Sequence, residues 1–299
     1  QLALSDGQYD KSLNYLGQWR QLADADELPK AWVLEAQAMY QNGRYQDALE
    51  PIQKAIAKAE DEGDVAKENW LILARAIHYE LGQTDGVAKM LEKLVVNYSK
   101  PEYWLQLAGV YGQLEKNAKQ LAVLEAAYQQ GFVEKPSELR NLAQVYYLNE
   151  LPYKAAEIME QGLSNGKLDN TLSNRKFYAQ SLMQAKEYDA AIEAYQQAAE
   201  LGDRGDMLAQ AAQLALNIDR NDVALELAQQ ALAAGELKNP GNMYLVQGMV
   251  HVNQKQYQKA VAAFQSAQDY EATEAAASQW VRYAKSQLEF QQQLANNDI

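Results

Sequence analysis

The stretch NELPYKAAEIMEQGL, residues 149–163, sets a turn signal in front of an amphipathic run. Its apolar or small residues Ala155, Ile158, Met159 and Gly162 fall three and four apart, the spacing of one helix face. The same shape recurs as QNGRYQDALEPIQKAI at 41–56 and as NQKQYQKAVAAFQSAQ at 253–268. A shape copied along a chain marks either a duplicated active site or a building unit. Ala155, Met159 and Gly162 are packing residues, which favours the building unit.

Aligning the chain on the small residue of this helix places Ala48, Ala155, Ala191, Ala224 and Ala260 in register, with Val87 and Gln120 as weaker occupants. Neighbouring positions are 33 to 39 residues apart. Each preceding helix also carries a small residue at its middle, at Ala36, Ala108, Ala143, Ala179 and Gly248, where two helix backbones can approach closely. Pro29, Pro101, Pro136 and Pro240 fall at the start of these first helices, where a missing N–H costs nothing. Pro152 is placed in an inter-helix turn. Pro51 lies inside a second helix and is expected to kink it.

The period and the pattern of Trp32, Ala36, Gly43, Tyr45, Ala48 and Ala55 in residues 30–58 resemble the tetratricopeptide repeat. Residues 66–98 fit least, with Trp70 one place out of phase. The resemblance implies an all-α fold, a right-handed α-solenoid of helix-turn-helix repeats running through 1–299 as one domain. Residues 29–270 hold about seven repeats and residues 271–299 a capping helix, with Trp280, Ala284 and Leu288 as its buried stripe. Residues 1–28 look like a partial unit, since GQYDKSLNYLGQW matches a turn and second helix. Together with a first residue that is Gln rather than Met, this implies a fragment with further repeats upstream.

Composition narrows the function. Hydrophobic residues at 48% and charged residues at 22% suit a folded chain, and the abundant Ala, Gln, Leu, Glu and Lys favour helix. A net charge of −13 without a dense Lys/Arg run argues against nucleic acid. The absence of cysteine removes disulfides, thiolate metal sites and thiol nucleophiles together, and suits periplasm and cytoplasm equally. No apolar run is long enough to span a membrane.

No catalytic, cofactor or metal site is expected. His78 and His251, far apart and without HExxH, read as packing histidines with one nitrogen satisfied. GDRGD at 202–206 lacks the elements of a phosphate loop and reads as an inter-unit loop. AEDEGD at 59–64 lacks calcium-loop spacing and reads as a solvated acidic linker. Tyr45, Tyr111, Tyr146, Tyr188 and Tyr257 sit at packing positions.

The expected activity is therefore binding. In a tetratricopeptide solenoid the first helices build the concave wall. Carrying the repeat phase across gives a candidate protein- or peptide-binding surface of Gln37, Tyr40, Gln41, Arg140, Gln144, Tyr147, Lys176, Gln180, Met183, Asn217, Met249 and Asn253. Chaperone-tail adaptors of this family hold a carboxylate with Lys, Asn and Arg. Arg140, Asn141 and Lys176 supply part of that set, but Gln144 and Gln180 stand where Asn is needed, and the clamp is incomplete.

A narrower resemblance lies in residues 100–156. YWLQLAGVY, AYQQGFVEK and LNELPYKAA are similar to the periplasmic tetratricopeptide proteins of TonB–ExbB–ExbD energy-transducing systems in Gram-negative bacteria. This implies an exported, non-catalytic scaffold with TonB, ExbB or ExbD as candidate partner. Alternatives are an adaptor for another envelope assembly or cell-wall enzyme, and the recruitment module of a larger protein.

Overall fold

A computed structural model describes residues 6–24, 27–235 and 237–297. The first residues of the partial unit, 1–5, and the last two of the cap lie outside it. Among the described residues there are sixteen α-helices and no strand. They divide into two compact units, 1–134 and 135–299.

The first unit holds α1 (Tyr9–Leu22), α2 (Leu28–Gln41), α3 (Tyr45–Asp61), α4 (Glu68–Glu80), α5 (Thr84–Tyr98), α6 (Pro101–Gln113) and α7 (Asn117–Gln129). The second holds α8 (Pro136–Leu148), α9 (Pro152–Ser164), α10 (Leu172–Gln184), α11 (Tyr188–Ala199), α12 (Arg204–Asn217), α13 (Asn221–Ala234), α14 (Pro240–Asn253), α15 (Tyr257–Gln268) and α16 (Glu271–Asn297). Within each unit every helix packs on the next, and some first helices also touch the following first helix, as in α2–α4 and α12–α14.

All seven hairpins, from α2–α3 to α14–α15, use one turn. Its middle residue is left-handed: Gly43, Gly82, Glu115, Glu150, Lys186, Asp219 and Lys255 have φ between 55° and 71°. The next N–H then donates back to a first-helix carbonyl, as Leu151 does to Tyr146 at 3.0 Å and Gln256 to His251 at 2.7 Å. This is a helix C-terminal lock that saves two orphan carbonyls, and it fixes each pair in the same register.

The aligned small residues do what their spacing implied. Ala36, Ala48, Ala143, Ala155, Ala179, Ala191, Ala224 and Ala260 are fully buried. Gln120, the odd occupant, is accommodated because Gly112 faces it: a methyl built there would lie 2.7 Å from Gln120 Nε2. Hydrogen bonds repeat the period. Lys116 binds Asp85 at 2.7 Å, Lys100 binds Glu68 at 2.6 Å, Arg220 binds Asp189 at 3.4 Å and Asn253 binds Asn221 at 2.9 Å, each joining one repeat to its neighbour. Such exposed pairs each contribute about 0–1 kcal/mol, so they set register more than stability.

Several local expectations need correction. Pro152 is the first residue of α9 rather than a turn residue, because its fixed φ suits N1. Residues 59–61 are the last turn of α3, not a linker, and Glu60 and Glu62 pair with Lys93 and Lys58. Arg204 already opens α12, so only the first part of GDRGD is loop. In α16 the buried stripe is Thr273, Ala277, Val281 and Ala284; Trp280 and Leu288 are half-buried, Trp280 stacking on Phe264 at 5.5 Å.

Candidate functional site: the first-helix faces

In the second unit the structure gathers some of the candidate residues. Lys176 and Gln180 on α10 border a cavity of about 360 Å³ with Asp206, Gln210 and Gln213 of α12 and Asn242 of α14. Tyr195 also borders it, donating to the Met183 sulfur at 3.9 Å; burial pushes its hydroxyl up to about 12. The site offers amide donors and acceptors, two ammonium groups, Lys176 and Lys238, and one carboxylate. Asp206 already holds Lys238, through its Nζ at 3.4 Å and its backbone N–H at 3.2 Å.

Several other candidates are engaged within the chain. The Arg140 guanidinium donates to Asn174 and, at 3.0 Å, to Ser173, and lies 5.6 Å from the centre of the Phe177 ring. It ties α8 to the start of α10. Tyr147 packs on the same ring at 5.6 Å. Asn217 accepts from Gln213 at 3.1 Å, Asn253 is bound to Asn221, Met249 is half-buried in the core, and Gln144 is exposed. On the first unit Gln37 and Tyr40 are half-buried and Gln41 exposed, with Tyr40 against Tyr45 at 5.3 Å and its hydroxyl raised mainly by burial.

The larger cavity, about 530 Å³, lies elsewhere in the first unit, between α4, α5 and α6. Buried Val87 and Leu91, with Val110, supply apolar lining; Arg75, Gln106, Gln113 and the largely exposed Tyr79 supply polar groups. Arg75 donates to Gln106. Gly109 opens on this space: a Cβ there would meet no atom within 4 Å. Repeat phasing missed the site because residues 66–98 fit the pattern least. Its available signal was a glycine inside helix α6, where glycine costs about 1 kcal/mol without a reason. Gly109→Ala is therefore expected to stabilise the chain by up to about 1 kcal/mol in a urea melt.

Acid–base chemistry finds little support in these groups. The Tyr103 and Tyr111 hydroxyls are pushed up to about 12, by burial first and then by their bonds to Glu68 and Glu92, so they stay neutral donors. His78 is buried with Nδ1 on Gln83 at 2.7 Å, its ring fitting against Gly86. His251 repeats the arrangement with Gln256 at 3.1 Å. Among the described residues no three His, Asp or Glu side chains form a metal set, and no helix is long and apolar enough to cross a membrane.

Burial, and secondarily Lys259, holds the His251 pKa below 6.5. The unfolded chain then binds the proton first, so the neutral ring's contribution is complete above 6.5 and is lost as pH falls from there through the folded value. His251→Gln is expected to flatten that part of the stability–pH curve slightly, since the ring is only partly buried; an unchanged curve would refute it.

Residues 1–64 and 209–279 match a family model described as tetratricopeptide repeat. Over those two segments, less than half of the chain, the sequence is similar to the tetratricopeptide repeat. Its helices superpose on the structure of Naa15/Naa10 bound to HypK-THB with a TM-score of 0.62 and 12% identity, over 89% of this chain and 40% of that one. YrrB, described as a TPR protein with an unusual peptide-binding site, gives 0.47 and 16% identity over 67% and 99%. A tetratricopeptide repeat protein from Parabacteroides merdae gives 0.40 and 14% over 87% and 99%. No curated protein matched in sequence. At these identities the likeness concerns fold, and the 0.62 superposition supports the all-α helical-repeat architecture.

Proposed function

We propose that this protein is a non-catalytic scaffold that holds a segment of a partner protein against the first-helix faces of its repeats. The carrying observation is the 530 Å³ cavity between α4, α5 and α6, which pairs apolar walls with amide and guanidinium groups. Pockets of that size and mixture suit side chains presented by a peptide. The narrower reading, an exported periplasmic accessory of a TonB–ExbB–ExbD complex, rests on the resemblance of residues 100–156.

The test is an affinity pull-down from solubilised Gram-negative envelopes, with an unrelated repeat protein as control. Enrichment of TonB, ExbB or ExbD supports the narrow reading; recovery of none of them leaves only the scaffold. Gly109→Leu then tests the cavity. Filling open space should leave the fold intact and weaken partner capture at least tenfold, and undiminished capture would exclude this cavity as the binding place.

A further inference from the structure

The seven hairpins share one backbone turn, so each can be compared with the other six side chain by side chain. At the last residue of the first helix six pairs carry Gln41, Glu80, Gln113, Gln184, Asn217 and Asn253; the seventh carries Leu148. At the residue before the second helix the others carry charged or amide side chains, and this one carries Leu151. At the second residue of the second helix, where Asp85 and Asp189 bind Lys116 and Arg220 of the following repeat, stands Tyr153. Three positions that are polar or small in every other pair are large and apolar in one hairpin.

These side chains are not buried. Leu148 is 72% exposed, Tyr153 55% and Leu151 37%. The turn beneath them is well held: Leu151 N–H donates to Tyr146, Asn149 Nδ2 to Val145 at 2.8 Å, and Pro152 fixes the start of α9. Ordering such a surface costs little on binding. None of the three lines the cavity on the first-helix face of this unit.

We propose that the α8–α9 hairpin is a second docking site, separate from the first-helix face, for a short amphipathic partner segment whose apolar side chains are flanked by basic residues. The area argues for a segment. Three partly exposed side chains present on the order of a few hundred Å², short of the roughly 800 Å² per partner in a stable interface, so a second copy of the chain is not the occupant. Charge argues for its basic flank. Glu150 at the turn and Glu157 on α9 are exposed, while Lys154 lies over the Tyr146 ring at 5.3 Å in a chain of net charge −13. That balance also disfavours an anionic membrane as occupant.

The probe is a fluorescein-labelled twelve-residue Leu/Lys amphipathic peptide, titrated by anisotropy against the intact chain, with a Leu/Glu peptide as charge control. The variant Leu148→Gln, Leu151→Gln, Tyr153→Gln installs residue types that stand at these places in other hairpins and leaves charge unchanged. The expected result is at least tenfold weaker binding of the Lys peptide with unchanged helicity, undiminished binding by Gly109→Leu, and weak binding of the Glu peptide. If the triple variant loses helicity, Leu148→Gln alone decides, with at least a threefold loss expected. Equal binding by wild type and variant would overturn the proposal. So would equal binding of the Glu peptide, a wild-type dimer in sedimentation that the variant abolishes, or hairpin-dependent binding to anionic vesicles.

Discussion

Replacing Phe264 with alanine is expected to remove about 3–5 kcal/mol, the largest loss from any single truncation considered. The side chain is completely buried, stacks on Trp280 at 5.5 Å and 19°, and faces Gly248 across the α14–α15 contact. A methyl on Gly248 would lie 2.3 Å from a Phe264 ring carbon, so the ring already fills the space between these helices. Truncation leaves a cavity that three helices cannot close together. Helical repeats are stabilised mainly by their neighbours, so the loss should be local. Hydrogen exchange of the variant should show α15 and α16 losing protection while α8–α11 keep theirs. Uniform loss across the second unit, or no loss, would contradict this account.

Gly205→Ala should cost about 1–3 kcal/mol, the opposite sign from helix propensity, which favours alanine by about 1 kcal/mol. The added Cβ would stand 2.2 Å from the backbone carbonyl oxygen of Gly235, at the end of α13. A side chain could rotate away from the added methyl; a backbone carbonyl moves only with its chain. Gly109→Ala, in open space, is the matched control. Opposite shifts of the two melting midpoints are expected, and a midpoint raised by both would show that the α12–α13 end yields freely.

The packing frame was legible because its grammar is chemical. A fully buried alanine or glycine recurring near every thirty-fifth residue has one explanation, close helix contact, and the deviants Val87 and Gln120 could be tolerated as neighbours adjusted. The candidate surface was legible only in part. Phase says which face a residue occupies but not whether its side chain is already engaged. Lys176 and Gln180 do border one cavity, whereas Arg140, chosen by the same phase, spends its guanidinium on Asn174, Ser173 and Phe177. The capping stripe was right at Ala284, which is fully buried, and wrong at Trp280 and Leu288, which stay half-buried: Trp280 stacks beside Phe264 while Val281 goes in.

Sequence alone determined the all-α repeat architecture, the second-helix register and the lack of any thiol, because each depends on local periodicity or on which residue types are present. Tertiary structure decided where space remains. The cavity beside Gly109 is lined by residues of α4, α5 and α6 together, and the hairpin Leu148–Tyr153 stands out only once seven identical turns are compared by exposure. Volume and exposure are sums over neighbours from several repeats, and no single stretch of chain encodes them.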